Sequence, residues 1–95
     1  MSWLNLGEVA YQIERRHGTA EAAEVIRRLR AALLLDDVTP ERVLAAAHLK
    51  AEHPIAFADC FAAATATAHG ATLLTGDPEL LDRKVGCRTR DLRPK

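Results

Sequence analysis

The stretch TLLTGDPEL, residues 72–80, changes from a strand pattern to a helix pattern, and this transition constrains the fold more than any other feature. The run Thr72–Thr75 is β-branched and aliphatic, which favours a strand, and it meets a turn residue at Gly76. Asp77 and Pro78 then form a typical helix start, because the acid caps unpaired amides and proline suits the first helical position. Asp77 is therefore a predicted helix cap that sits at the end of a predicted strand.

Four longer helices are predicted before this segment from apolar residues at helical spacing. Asn5 is predicted to cap the first helix, with Glu8 three residues later in a capping-box pattern. Thr19 is the predicted cap of the second helix, and Thr39-Pro40 begins the third. The fourth helix is predicted over roughly residues 56–69.

Short apolar stretches separate these helices. Residues 85–89 form a last predicted strand, followed by a loose basic tail from Arg90 to Lys95. Leu33–Leu35 either extend the second helix or form a short buried strand, and Ser2–Leu4 have the character of the end of a strand. The alternation of helices and strands predicts the α/β class with a parallel sheet, and a length of 95 residues predicts one domain over 1–95.

The net charge argues against non-specific nucleic-acid binding by the whole surface, and it leaves local phosphate contacts open. The formal net charge is zero, so the chain lacks the global basic field that dominates non-specific nucleic-acid binding. Local cationic groups are compatible with phosphate contacts, although we favour a solvated face as their role. These groups are Arg15, Arg16, Arg27, Arg28 and Arg30 on the first two helices, and Arg83, Lys84, Arg88 and Arg90 near the C-terminus.

The two cysteines and the hydropathy pattern predict a cytoplasmic protein. Cys60 and Cys87 form no CxxC pair and are too few for a disulfide framework, which favours reduced thiols. The first residues lack a basic region followed by a long apolar run, so we expect no signal peptide. No window approaches the ~20 apolar residues that span a bilayer, so we expect no membrane partner.

Three acids, Glu8, Asp59 and Asp77, lie in the first turn of a predicted helix or cap it. In open α/β sheets helices begin near the carboxyl ends of strands, where ligands bind, so these carboxylates are predicted to converge. Convergent carboxylates are hard oxygen ligands suited to Mg²⁺ or Mn²⁺. The alternative is capping alone, which we favour for Glu8 and Asp77 on residue type and position. Asp59 lies in a nearly uncharged helix, where it is equally compatible with a ligand and with a solvent-facing residue.

Three segments together resemble the PIN domain, and most closely the VapC-type toxin ribonucleases of type II toxin–antitoxin systems. The segments are LNLGEV at 4–9, AFADCFAAATA at 56–66 and TLLTGDPEL at 72–80. The resemblance implies a three-layer α/β/α fold and an endoribonuclease that uses Mg²⁺ or Mn²⁺ to hydrolyse RNA. It also implies a cognate antitoxin and a homodimer as partners.

The resemblance further implies roles for individual residues. Glu8, Asp59 and Asp77 match the second, third and fourth acids of the family site, and Thr75 matches a hydroxyl residue that supports it. The family's first strand, which is central in its sheet and ends in the first acid, has no match here. We therefore expect a longer native chain, a truncated relative, or a gap filled by another chain. In the second case the alternative function is an inactive module acting in protein binding or dimerisation.

Overall fold

The computed structural model describes residues 1–93 as helices joined to a short parallel sheet, which confirms the predicted α/β class. The helices are α1 (Trp3–His17), α2 (Thr19–Ala32), α3 (Pro40–Glu52), α4 (Phe57–Ala68) and α5 (Pro78–Leu81). The strands are β1 (Thr72–Thr75) and β2 (Arg88–Asp91). The chain forms two compact units, an N-terminal unit over Met1–Val38 and a C-terminal unit that begins at Thr39.

The start of α1 differs from the prediction. Ser2, and not Asn5, is the N-cap, and its hydroxyl oxygen accepts a hydrogen bond from the Leu4 amide at 3.2 Å. Both residues are good caps, but Ser2 is also held in an extended conformation by its pairing with Asp36, so the helix begins earlier. As a result Glu8 lies in the second turn of α1, and the predicted first-turn position is wrong.

An extended segment follows α2 and pairs with the N-terminus. The Asp36 amide donates to the Met1 carbonyl at 2.9 Å, and the Trp3 amide donates to the Asp36 carbonyl at 3.0 Å. This bridge includes Ser2 alone of the three residues predicted to end a strand, because Trp3 and Leu4 are already helical. Leu33–Leu35 neither extend α2 nor form a buried strand, since Leu34 is 90% exposed.

The core of the C-terminal unit is centred on α4. Six of its side chains are buried, and Phe61 is completely inaccessible to solvent. Alanine at positions such as Ala46 of α3, which is 0% exposed, lets α3 and α4 approach closely. A hydrogen bond of 2.9 Å from the Arg42 guanidinium to the Thr65 hydroxyl ties the same two helices together.

Strands β1 and β2 are parallel, with Thr72 opposite Arg88 and Thr75 opposite Asp91. Strand β2 begins three residues later than predicted, because Gly86 has φ +87°, which interrupts extended backbone. Val85 instead contributes a buried side chain to the core. The predicted loose tail is therefore partly wrong, since Arg90 and Asp91 belong to β2, and its last two residues lie outside the described residues.

Within residues 1–93, no helix has both the length and the apolar character that a membrane span requires. The longest helix, α1, has 15 residues, and several of them are charged.

The cap of α3 provides a test of this fold. The Thr39 hydroxyl oxygen accepts a hydrogen bond from the Arg42 amide at 3.2 Å. Replacing Thr39 by alanine removes this acceptor, so we expect the free energy of unfolding to fall by about 1 kcal/mol in urea titrations. The matched variant Thr39→Ser retains a hydroxyl and should unfold like the wild type. Equal stability of the alanine variant and the wild type would contradict the assigned cap.

Candidate metal centre

Asp77 is held in place by two local hydrogen bonds. Its carboxylate oxygen Oδ1 accepts from the Glu79 amide at 2.9 Å, which confirms Asp77 as the cap of α5. Its own amide donates to the Thr75 hydroxyl oxygen at 3.0 Å. The second carboxylate oxygen, Oδ2, makes no hydrogen bond with residues 1–93. Capping therefore uses one oxygen of Asp77 and leaves the other available to a ligand.

Asp59 lies in the first turn of α4 and is its one charged side chain. The helix has Ala56 as its N-cap, with no side-chain hydrogen bond at the cap. The Asp59 side chain is half-buried, directly before the fully buried Cys60. A carboxylate at this position favours helix formation through the dipole, but it places negative charge beside a core of apolar residues.

The strands of the sheet run in the direction opposite to that of α4. Cys87, just before β2, forms a hydrogen bond with the Thr67 side chain near the end of α4, and Gly86 lies close to the same side chain. Strand β1 is parallel to β2 and packs against α4. Both strands therefore start at the C-terminal end of this helix, and their carboxyl ends point toward the end that carries Asp59. The segment with Thr75 and Asp77 is thus directed to the same side of the C-terminal unit as Asp59.

Glu8 belongs to the N-terminal unit, and its position is not that of a capping residue. It lies in the second turn of α1 and is half-buried. The stabilisation that an acid gains from the helix dipole falls off within the first turn. Helix capping therefore does not account for the position of Glu8.

The chemistry of these donors suits a hard divalent cation. Mg²⁺ and Mn²⁺ prefer carboxylate oxygens and water, and the three acids supply carboxylates. Among residues 1–93, however, no group of three or more His, Cys, Asp and Glu side chains is arranged so that it could hold a metal ion. The structure places Thr75 and Asp77 next to each other. Binding of one metal ion by all three acids stays a prediction.

The cysteines do not offer a competing nucleophile. Burial raises the pKa of the Cys60 thiol, and the Asp59 carboxylate adds to this rise while Lys50 opposes it. Burial also raises the pKa of Cys87, against a hydrogen bond with Thr67 that lowers it. Both thiols are therefore neutral at pH 7, and a neutral thiol is a poor nucleophile.

Comparison with known protein families gives one result that bears directly on these acids. The PIN domain family matches residues 1–85. This chain belongs to the PIN domain family. PIN domains are generally nucleases that require metal ions. Comparison with curated proteins gives no match, and comparison with solved structures gives none either.

The extent of the PIN match is informative. It includes Glu8, Asp59, Thr75 and Asp77, and it crosses the boundary between the two compact units. It ends before β2, so that the strand Arg88–Asp91 lies outside the part of the chain that the family accounts for.

The two groups that fix Asp77 are an amide and a hydroxyl, and only the first has a signal in the sequence. The Glu79 amide contacts the Asp77 carboxylate, and the Thr75 hydroxyl contacts the Asp77 amide. The Asp-Pro helix start was the available signal for the first contact, because a capping oxygen accepts from the second or third helical amide. The second contact depends on the turn at Gly76, and no sequence pattern specifies it.

Exchange of the Asp77 amide hydrogen tests the role of Thr75. Replacing Thr75 by valine removes the acceptor, and the loss of a hydrogen bond worth about 1 kcal/mol should speed exchange roughly fivefold. The variant Thr75→Ser retains the hydroxyl and should exchange at the wild-type rate. Hydrogen exchange followed by NMR measures both. Equal rates in the valine and serine variants would show that the Thr75 hydroxyl does not hold Asp77.

Proposed function

We propose that this chain is a metal-dependent endoribonuclease of the VapC type, which hydrolyses RNA phosphodiester bonds with Mg²⁺ or Mn²⁺ bound by Glu8, Asp59 and Asp77. The observation that carries the proposal is the PIN match over residues 1–85, which includes these three acids. A bound divalent ion supplies two functions at such a site, since it polarises the phosphodiester and lowers the pKa of an attacking water.

The residues of the chain have distinct roles in this proposal. Asp77 is oriented before any ligand arrives, because the Glu79 amide and the Thr75 hydroxyl fix it from two sides. Preorganised ligands need no rearrangement on binding, which favours affinity. Thr75 is therefore a positioning residue, and Asp77 a ligand through its second carboxylate oxygen.

Asp59 and Glu8 complete the proposed ligand set. Asp59, the one charged side chain of α4, supplies a half-buried carboxylate, which is a ligand type that Mg²⁺ and Mn²⁺ prefer. Glu8 lies beyond the first turn of α1, where capping does not explain an acid. In this proposal one divalent cation binds all three carboxylates and offsets their mutual repulsion.

The biological setting is proposed from the resemblance to VapC-type toxins. It comprises a cognate antitoxin, a homodimer and a cytoplasmic location, the last in agreement with two free thiols. Residues 1–95 form a single PIN domain in this proposal.

The alternative is an inactive PIN module that acts through protein binding or dimerisation. One observation favours it: residues 1–93 contain no preformed cluster of three ligands. In this case the acids act only on helix stability, and the wild-type chain has no activity toward RNA with either ion.

Cleavage of single-stranded RNA with Mn²⁺ or Mg²⁺ distinguishes the two functions. We expect the wild type to cleave, and we expect excess chelator, Asp59→Asn and Asp77→Asn each to reduce the rate by at least ~100-fold, as loss of a key electrostatic group does. Asn caps helices as well as Asp, so Asp77→Asn should retain wild-type stability and isolate the role as ligand.

The control for that experiment is Asp37→Asn, which makes the same chemical change at an exposed acid outside the proposed site and should leave the rate unchanged. Cleavage that persists in both site variants, or in chelator, would contradict the nuclease proposal. Absence of cleavage by the wild type with both ions would favour the inactive module.

A further inference from the structure

Most cations within residues 1–93 already have a partner. Arg27 and Arg28 both bind the Glu24 carboxylate, at 2.8 Å and 2.9 Å, and these hydrogen bonds lower the pKa of Glu24. The guanidinium groups of Arg15 and Arg30 lie over aromatic rings, those of Tyr11 and Trp3. The remaining partnered cations are Arg42, Lys50 and Arg93, which bind Thr65, the Ile55 carbonyl and Asp91.

The cations without a hydrogen bond, ion pair or ring contact in residues 1–93 are concentrated in one segment. They are Arg83, Lys84, Arg88 and Arg90, with Arg16 the exception elsewhere. The segment from Arg83 to Arg90 contains no acid. Asp91, which follows it, is neutralised by Arg93 at 2.7 Å. A chain of zero net charge therefore has a local excess of positive charge in this segment, in which no cation forms an ion pair within residues 1–93.

The backbone places part of this charge on one face of the sheet. Arg88 and Arg90 are two residues apart on β2, so their side chains project from the same face. The strand register aligns them with Thr72 and Leu74 of β1, and all four residues are exposed. The opposite face includes Leu73 and Thr89, which are half-buried. We call the four exposed residues Thr72, Leu74, Arg88 and Arg90 the cationic sheet face.

The two strands that carry this face lead toward the proposed site at their carboxyl ends. Thr75 is opposite Asp91 at the carboxyl end of both strands, and β1 continues through Gly76 to Asp77. The carboxylates of the proposed site repel phosphates, so an RNA chain requires cations next to them to approach. The cationic sheet face lies on the adjoining strands and offers those cations.

We propose that the cationic sheet face binds the backbone of single-stranded RNA and directs it toward Asp77. This inference rests on the proposed ribonuclease function, and it assigns the substrate path to residues of which Arg88 and Arg90 lie outside the PIN match. Arg88 and Arg90 are ~6–7 Å apart along the strand, which suits successive phosphates of an extended strand. Leu74, which is 55% exposed and lies beside Arg90 on the neighbouring strand, provides apolar surface for an unstacked base.

The occupant is RNA rather than an acidic protein segment because, of the four exposed residues of the face, two are arginines and one, Leu74, is apolar. Protein interfaces derive most of their affinity from buried aromatic and aliphatic anchors in pockets. Nucleic-acid backbones are bound largely through counterion release, for which exposed arginines are sufficient.

Salt-dependent binding of a short fluorescein-labelled oligouridylate, measured by anisotropy in EDTA, tests this path without cleavage. For Arg88→Ala/Arg90→Ala, the slope of log K against log salt between about 50 and 200 mM should decrease in magnitude by about 1.4, or about 0.7 for each lost phosphate contact. Arg88→Lys/Arg90→Lys preserves both charges and should retain the wild-type slope. Arg27→Ala/Arg28→Ala makes the same charge change on α2 and should also retain it.

Three outcomes would overturn the inference: no binding by the wild type, a wild-type slope in Arg88→Ala/Arg90→Ala, or displacement of the RNA by polyglutamate as readily as by unlabelled RNA. The last outcome would indicate an acidic protein partner. Because binding is measured without metal, the two proposals can fail separately. Binding that depends on Arg88 and Arg90 without cleavage in Mg²⁺ would contradict only the nuclease, whereas cleavage with an unchanged slope would contradict only the proposed path.

Discussion

The burial of α4 is the constraint on which the C-terminal unit depends. Six of its side chains are buried, and its small residues let neighbouring elements approach closely. Helix α3 is tied to it through Arg42 and Thr65, and β1 packs against it. The segment before β2 contacts Thr67. Every element that carries a proposed functional residue of this unit is therefore positioned by one helix, and that helix has a single charge, Asp59, at its start.

The acidic and the basic side chains have different roles in the proposed function. Within residues 1–93, the arginines of α1 and α2 are largely satisfied by Glu24 and by aromatic rings. The cations from Arg83 to Arg90 are not, and two of them, Arg88 and Arg90, lie on the strand paired with β1, which continues through Gly76 to Asp77. A divalent ion would neutralise the carboxylates, while the cationic sheet face would hold the polyanion. A net charge of zero is compatible with a nucleic-acid enzyme when the two signs are separated in this way.

The sequence predicted those elements that begin with a strong local signal. Thr39-Pro40 and Asp77-Pro78 each combine a cap with a proline, and α3 and α5 begin there. Prediction failed where two local signals competed or where pairing decided the outcome. Asn5 and Ser2 are both good caps, and the bridge to Asp36 selected Ser2. The exposure of Leu34 and the start of β2 after Gly86 likewise depend on tertiary structure and on one backbone torsion. The acids could be identified from the sequence by residue type. The hydrogen bond from the Asp77 amide to the Thr75 hydroxyl could not be predicted, because it depends on the folded turn.

We propose that Glu8, Asp59 and Asp77, from separate segments, bind one metal ion. Paramagnetic broadening of amide NMR signals by substoichiometric Mn²⁺ measures this directly and does not depend on activity. The account predicts that signals around residues 8, 59 and 77 broaden together with a single binding curve, and that Mg²⁺ reverses the effect. Broadening confined to one of these segments, or centred elsewhere, such as at Glu52 and His53, would contradict a shared site.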